Sequence, residues 1–370
     1  MSTNPLLTIA PGTRVLAAMS GGVDSAVAAA LLAEHGCEVT GVTLKLWCYG
    51  QSPVSARACC TIDAIDDARR VAERYNFRYF VVDAEEVFRA RVLQPFLDDY
   101  ANGRTPYPCA LCNQSLKFGD LVSRMDALGS ERLVTGHYAR LSRDEQGAPA
   151  LRRAVDLTKD QSYALALVPY ASLERTVFPL GELTKPEVRE HAARLSLSVW
   201  DKPDSQDLCF VPDGDYAGFM EHQLGEKRGS VAGPIETVEG ERLGTHRGIA
   251  HFTVGQRKGL GLAAPEPLYV LQVDATRDAV IVGSRKDLER PGLETGIVNW
   301  LVPAPPASGT RVDVKIRAHH EAAAGRLDPR PDGTAAVTFD VPQAAITPGQ
   351  LAVFYDGDRV LGGAPIARAL

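Results

Sequence analysis

Residues 14–25 read R-V-L-A-A-M-S-G-G-V-D-S, Arg14 to Ser25, and their order decides the fold. Residues 14–19 form a short apolar run of strand type, residues 20–25 a glycine turn, and residues 26–35 a helix pattern closed by Gly36. Strand, glycine turn and helix in that order open an α/β unit. The alternation continues with a strand at 38–47, a helix at 62–75, a strand at 79–83 and a helix at 85–100. A loop carrying two cysteines follows, then a helix at 115–128 and a strand at 132–138. Repeated β-α units predict a parallel sheet with its ligand at the carboxyl ends of the strands.

The pattern changes near Trp200. One helix, 216–224, is followed by short β segments cut by Gly and Pro, and from residue 288 only short strands with turns such as D-P-R-P-D-G remain. The expected organisation is a parallel-sheet α/β domain over 1–204, a small mixed central domain over 205–287 and a β-barrel over 288–370. A length of 370 residues suits such a division, and 45% hydrophobic with 23% charged residues describes an ordinary globular protein.

The amino terminus lacks a secretory signal pattern, and no apolar stretch approaches the roughly 20 residues of a membrane helix, so a cytoplasmic protein without membrane contact is expected. The seven cysteines are odd in number and unevenly spread, which argues for reduced thiols rather than a secreted disulfide framework. A net charge of −6 weighs against holding nucleic acid by overall charge, while leaving room for a local basic face.

Ser20-Gly21-Gly22-Val23-Asp24-Ser25 sits where a phosphate loop belongs, after a buried strand and at a helix start. Glycines let backbone N–H groups approach an anion, and serine hydroxyls add donors. A Walker A loop is excluded because its lysine is missing. The competing reading, a plain glycine turn with Asp24 as helix cap, does not account for strand, loop and helix falling in order. S-G-G-V-D-S resembles the pyrophosphate loop of the ATP-pyrophosphatases, which cleave ATP between the α and β phosphates. That resemblance makes Asp24 the natural partner of Mg²⁺.

An adenylated oxygen needs a nucleophile, and cysteine thiolates or persulfides are strong ones near neutral pH. The single C-x-x-C, Cys109 and Cys112, lacks a second half-site, and Cys209 in D-S-Q-D-L-C-F is the third sulfur expected near it. Cys59-Cys60 read as bystanders, Cys37 and Cys48 as core or near-strand residues, and His191 and His222 as helix-surface residues. His319-His320 either touch RNA near Arg317 or face solvent. Arg257-Lys258, Lys159, Lys185, Lys202 and Arg317 are the candidates for a basic face.

G-R-T-P-x-P-C-x-x-C-N-x-x-x-K-F (103–118), V-T-G-H-Y (134–138), K-D-Q-S-Y (159–163), D-S-Q-D-L-C-F (204–210), G-Q-R-K-G-L-G (255–261) and T-P-G-Q-x-A-V-F-Y (347–355) together resemble the tRNA-specific 2-thiouridylases, in family order over nearly the whole chain. The resemblance implies ATP-dependent thiolation at C2 of the wobble uridine in tRNAs for Lys, Glu and Gln. A persulfide on Cys209 would deliver the sulfur, loaded by a sulfur carrier or a cysteine desulfurase. Cys112 matches the second catalytic cysteine, which can pair with Cys209 as a disulfide. Ala18, Met19, Ser20, Gly21, Gly22, Val23, Asp24, Ser25, Leu44 and Gly136 match the nucleotide positions. Tyr107, Pro108 and Cys109 match the segment against the target base. His137, Lys159, Asp160, Gln161, Arg317, Ala318 and Gln350 match tRNA contacts, and a monomer is expected.

The chain departs from one branch of the family at Cys109, where that branch has Asp, and at Tyr107, where Asn is common. Two answers for the C-x-x-C follow. Either Cys112 and Cys209 are the reactive pair with Cys109 as bystander, or Cys109, Cys112 and Cys209 together hold an iron–sulfur cluster with one open iron.

Overall fold

The structure is a computed structural model that describes residues 9–46, 62–202, 208–211, 215–225 and 229–370. Cys48, Cys59, Cys60 and the first four residues of the D-S-Q-D-L-C-F motif lie outside the described residues. Apolar runs supply the strands of the first sheet, β1 (Arg14–Ala18), β2 (Glu38–Lys45), β3 (Arg78–Asp83), β4 (Arg132–Thr135) and, after a hairpin, the two-residue β7 (Thr176–Val177). All pair in parallel, in the order β3-β2-β1-β4-β7. The chain runs outward from β1 to β3 and then returns to the other side of β1, so the topological switch lies between β1 and β4.

Helix α1 (Val23–Glu34), V-D-S-A-V-A-A-A-L-L-A-E, is nearly all buried, and its alanines let it lie close on the sheet. It begins three residues earlier than expected, which puts Asp24 and Ser25 in its first turn. Gly36, at φ +85°, ends it in the left-handed conformation that glycine tolerates. Helix α2 (Ile62–Arg74) follows the glycine turn's far wall, with Ala64, Ala68, Val71 and Ala72 inward.

The hairpin of β5 (Ala139–Arg143) and β6 (Pro149–Arg153) leaves the parallel sheet and joins the carboxyl-terminal barrel through Arg152 opposite Arg359. Arg140 and Arg152 share the Asp358 carboxylate at 2.7 and 2.5 Å, and Arg153 lies 4.0 Å over the Tyr355 ring. The helix Tyr216–Leu224 has the bounds expected for it. The four-stranded middle sheet, β8 (Gly233–Thr237), β9 (Arg242–His246), β10 (Tyr269–Asp274) and β11 (Ala279–Gly283), has the order β10-β11-β8-β9.

Strands β12 (Glu289–Thr295), β13 (Asn299–Trp300), β14 (Thr310–Lys315), β15 (Ala323–Pro329), β16 (Ala335–Ala344), β17 (Leu351–Asp356) and β18 (Arg359–Ala369) build the last unit. Six of them run β12-β16-β15-β14-β17-β18, and pairing of β12 with β18 closes a barrel, which removes the open edges. The α/β class, with parallel-sheet, mixed and barrel units in that order, is as the sequence predicts. No helix among the described residues is long and apolar enough to cross a membrane.

Glu294 on the barrel accepts from Arg368 at 2.6 Å and Arg330 at 2.7 Å, which hold its carboxyl down to about 2. A carboxyl lowered on folding stabilises the native state above its ordinary value near 4.5, and that contribution is lost as pH falls toward about 2. Thermal melts of wild type and Glu294→Gln are therefore expected to converge across this window. Parallel pH dependence in the two proteins would contradict the assignment.

Candidate active site

The backbone past β1 continues its pairing through Met19 N–H to the Val42 carbonyl at 2.8 Å, then turns at Gly21. Gly21 has φ +70°, and a Cβ there would lie 2.1 Å from the Ala64 carbonyl oxygen, so only glycine fits. The Ser20 N–H donates to Ser25 Oγ at 3.0 Å, and Ser25 Oγ–H donates to the Gly22 carbonyl at 3.1 Å. These bonds shape the loop around the start of α1. Past β4, a Cβ on Gly136 would lie 2.6 Å from Ser25 N, so glycine is what lets this strand end touch the helix start. Both turns meet at the switch point, where the first-turn N–H groups of α1 make an anion cradle.

Charge arrives from distant segments. Thr184 and Glu187 form a reciprocal capping box, with the Thr184 N–H donating to Glu187 Oε2 at 2.7 Å, and Pro186 follows the first helical residue of Lys185–Arg194. Lys185, 7% exposed, donates from Nζ to Asp24 Oδ1 at 2.7 Å, and Tyr138 Oη–H donates to the same oxygen at 2.8 Å. Lys202 Nζ reaches the Gly21 carbonyl at 3.0 Å and Asp67 Oδ2 at 2.8 Å. Burial raises the Asp67 carboxyl, but Lys202 and Arg70 outweigh it and leave it below its ordinary value. Lys185 and Lys202, expected on a basic face, thus stand at the first turn of α1 and at the glycine turn, paired with Asp24 and Asp67. Arg257 and Lys258 are exposed, and Lys159 and Arg317 are half-buried.

The C-x-x-C is not in a loop. Pro108–Cys112 is the first turn of a helical run that continues through the π-turn Asn113–Asp120. Cys109 is exposed and Cys112 buried. Although open to solvent, the Cys109 thiol is pushed up to about 11, first by desolvation and next by Cys112, with Lys117 opposing. The Tyr107 ring lies 5.1 Å from that of Tyr163, and burial raises its hydroxyl too.

The residues leading into this helix are clamped by both other units. Thr105 N–H donates to the Pro348 carbonyl at 2.9 Å, Thr105 Oγ1 lies 3.2 Å from Thr253 Oγ1, and Gln350 Nε2 donates to the Thr105 and Pro106 carbonyls at 3.0 and 3.2 Å. Gln350 was expected at the tRNA; here its amide N–H groups hold the cysteine helix against the barrel. Gln350→Ala is expected to speed hydrogen exchange in residues 103–112 by about tenfold, since each such bond contributes about 1 kcal/mol. Unchanged exchange would remove the clamp.

Leu44, expected beside an adenine, packs in the same apolar cluster as buried Cys112, half-buried Cys209, Phe88, Phe96 and Phe210. Leu44 on β2, the strand paired with β1, and the two thiols thus share one apolar cluster. Among the described residues no three Cys, His, Asp or Glu side chains gather as a metal-holding group, so Cys109, Cys112 and Cys209 do not form a ligand set in this arrangement. His137, expected at the tRNA, is buried, lies 2.7 Å from Thr135 Oγ1 through Nδ1 and packs between Phe118 and Phe178. Desolvation and then Lys117 hold its pKa well below the ordinary value, which favours the neutral ring. Asp160 accepts from the N–H groups of Ala154 and Ser162, and Gln161 Oε1 from Tyr138 N–H at 2.9 Å, so this motif braces the site. Ala318 is half-buried beside Arg317, His222 is exposed, and Cys37 is buried with its thiol raised by desolvation. Tyr138 and Lys185 are the site residues that motif spacing did not assign to the nucleotide.

Family models match in three consecutive blocks: a tRNA methyl transferase HUP domain over residues 13–213, a tRNA methyl transferase PRC-barrel domain over 217–284 and an aminomethyltransferase β-barrel domain over 290–366. The chain is 48% identical over 366 residues to the tRNA-specific 2-thiouridylase MnmA of Solibacter usitatus (strain Ellin6076), covering 95% of this chain and 99% of that one. It is 46% identical over 354 residues to the protein of the same name from Chloroflexus aggregans (strain MD-66 / DSM 9485), covering 96% and 98%. Similarity of this extent over all three units, with the phosphate turn and the cysteines in place, decides the family: the chain belongs to the tRNA-specific 2-thiouridylases.

Proposed function

We propose that the protein is an ATP-dependent tRNA-uridine 2-sulfurtransferase acting on the wobble uridine of tRNAs for Lys, Glu and Gln. The observation that carries the chemistry is that Cys112 and Cys209 share an apolar cluster with Leu44, on the strand beside the one that leads into the glycine turn. The first-turn N–H groups of α1 and the Lys185 ammonium bind the triphosphate, while Ala18, Met19 and Leu44 flank the nucleoside. The Asp24 carboxylate suits Mg²⁺, which when bound would neutralise phosphate oxygens. Uracil O2 attacks the α-phosphorus and pyrophosphate leaves. Tyr107, Pro108 and Cys109 line the base recess, with Lys159 and Arg317 on the approach.

In the second half the terminal sulfur of a Cys209 persulfide attacks C2. Cys112 thiolate then attacks Cys209 Sγ, the persulfide S–S bond breaks, and AMP departs with the former O2. The terminal sulfur stays on C2, and a Cys112–Cys209 disulfide remains that two electrons from a dithiol must reduce. The three cysteines as arranged do not fit a cluster, and no step passes through iron. Domain boundaries near 204 and 287 fit this division of labour.

The test is a reconstituted reaction with unmodified tRNA, ATP and a persulfide donor, following AMP, pyrophosphate and 2-thiouridine together with protein-bound iron. Equal yields of the three products, all dependent on tRNA, are expected from iron-free protein. AMP formation on a small carboxylate without tRNA would favour an amidating ligase, and thiolation that tracks iron would replace the persulfide route by a cluster.

A further inference from the structure

Cys109 has no task in the two-cysteine cycle, yet its placement solves a problem that the cycle leaves. The disulfide left after sulfur transfer joins buried Cys112 to half-buried Cys209 within an apolar cluster. An external reductant must reach a sulfur there, and of the two only Cys209 keeps part of its surface open. Cys109 is exposed and three residues before Cys112 in the same helical turn. Helix geometry puts residues three apart at about 5 Å between Cα atoms, inside the roughly 4.4–6.8 Å window for a disulfide. An exposed first cysteine and a buried second one in the opening turn of a helix is the layout of a dithiol that exchanges disulfides.

We propose that Cys109 is the resolving thiol of the cycle: it takes over the disulfide from Cys209 and presents it at the surface for reduction. The step rests on the persulfide reading above. The Cys109 thiol, held largely protonated by desolvation, gives up its proton as it attacks Cys112 Sγ, the Cys109–Cys112 bond forms and the Cys112–Cys209 bond breaks. Cys209 leaves as a thiolate and takes up the proton that Cys109 released, so the exchange itself is redox-neutral. A dithiol reductant in solution then supplies two electrons and two protons to the exposed Cys109–Cys112 pair. Cys209 is free for reloading before that reduction occurs. In chains with Asp at this position the relay has no first sulfur, so their reductant must act on the buried bond itself.

The experiment uses the full-length protein, loaded with persulfide and given one turnover on unmodified tRNA without reductant. The reaction is quenched with an alkylating agent and mapped by non-reducing tryptic mass spectrometry. Cleavage after Arg104 and Lys117 leaves both Cys109 and Cys112 in one peptide, so their disulfide appears as that peptide lighter by two hydrogens. Wild type is expected to give the lighter peptide, and Cys109→Ser to give the same segment cross-linked to the Cys209 peptide. With a protein dithiol as reductant, the ratio of later turnovers to the first is expected to fall by about tenfold in Cys109→Ser, as disulfide exchange slows with access. A wild-type product cross-linked to Cys209 overturns the relay and leaves the persulfide reading standing. Thiolated tRNA with no protein disulfide in either protein overturns the persulfide reading itself.

Discussion

Replacing Lys185 by methionine is expected to lower tRNA-dependent pyrophosphate release by about 10²–10³-fold, the range seen when one preorganised donor to a developing charge is removed. Methionine keeps the length of the stem in its buried channel and deletes only the ammonium. Two consequences follow from the geometry. The triphosphate loses the one cation that a later segment delivers to the first turn of α1, since Lys202 is already spread over the Gly21 carbonyl and Asp67. Asp24 also loses its 2.7 Å partner and keeps only the Tyr138 hydroxyl among the bonds described here to Oδ1. Leaving a part-buried carboxylate short of a charge costs about 1–3 kcal/mol of stability, which a thermal melt would show alongside the kinetics. Lys185→Arg should recover part of the activity. Full pyrophosphate release in Lys185→Met would mean that the Lys185–Asp24 pair serves the fold alone.

The assignment of Lys185 shows where sequence reading stopped. Residues 184–187, T-K-P-E, announce a helix start through a cap, a proline and a glutamate, all local signals. Nothing in them says that the first side chain of that helix points at a turn more than 160 positions earlier, which is a matter of how the helix packs on α1. The glycine turn was legible for the opposite reason: its function and its local conformation need the same residues, since only glycine fits at Gly21 beside the Ala64 carbonyl. Pro108 carried a helix-start signal that places the C-x-x-C in a helical turn rather than a loop, and the two flanking prolines drew the reading toward a turn. The hairpin β5–β6 was illegible as part of the barrel, because its link to β18 is one residue pair plus arginines on Asp358, and neither leaves a periodic trace. Gln350 and His137 show the limit of a motif: it tells that a residue matters, while the bonds of Gln350 to 105–106 and of His137 to Thr135 were not legible in it.

Cys209→Ser is expected to abolish 2-thiouridine formation while tRNA-dependent pyrophosphate release persists for at least the first turnover. Serine preserves size within the half-buried position among Leu208, Phe210 and Leu111, so the fold should survive. The hydroxyl is far too weak an acid to ionise near neutral pH and cannot carry a transferable sulfur, whereas a thiol near 8.5 can do both. The adenylating half depends on α1, Lys185 and Tyr138, none of which shares a hydrogen bond described here with Cys209. The two halves should therefore separate: thiolation down by more than about 10³-fold, as for loss of a covalent nucleophile, with the first burst of pyrophosphate retained. Cys112→Ser should differ in kind, allowing sulfur to reach C2 and stalling with the tRNA still joined to Cys209. That adduct would be seen on a non-reducing gel and released by a small thiol. Loss of the burst in Cys209→Ser would mean that the thiol cluster helps to order the nucleotide site through Leu44. Retained thiolation would remove Cys209 from the chemistry and return the C-x-x-C as the sulfur carrier.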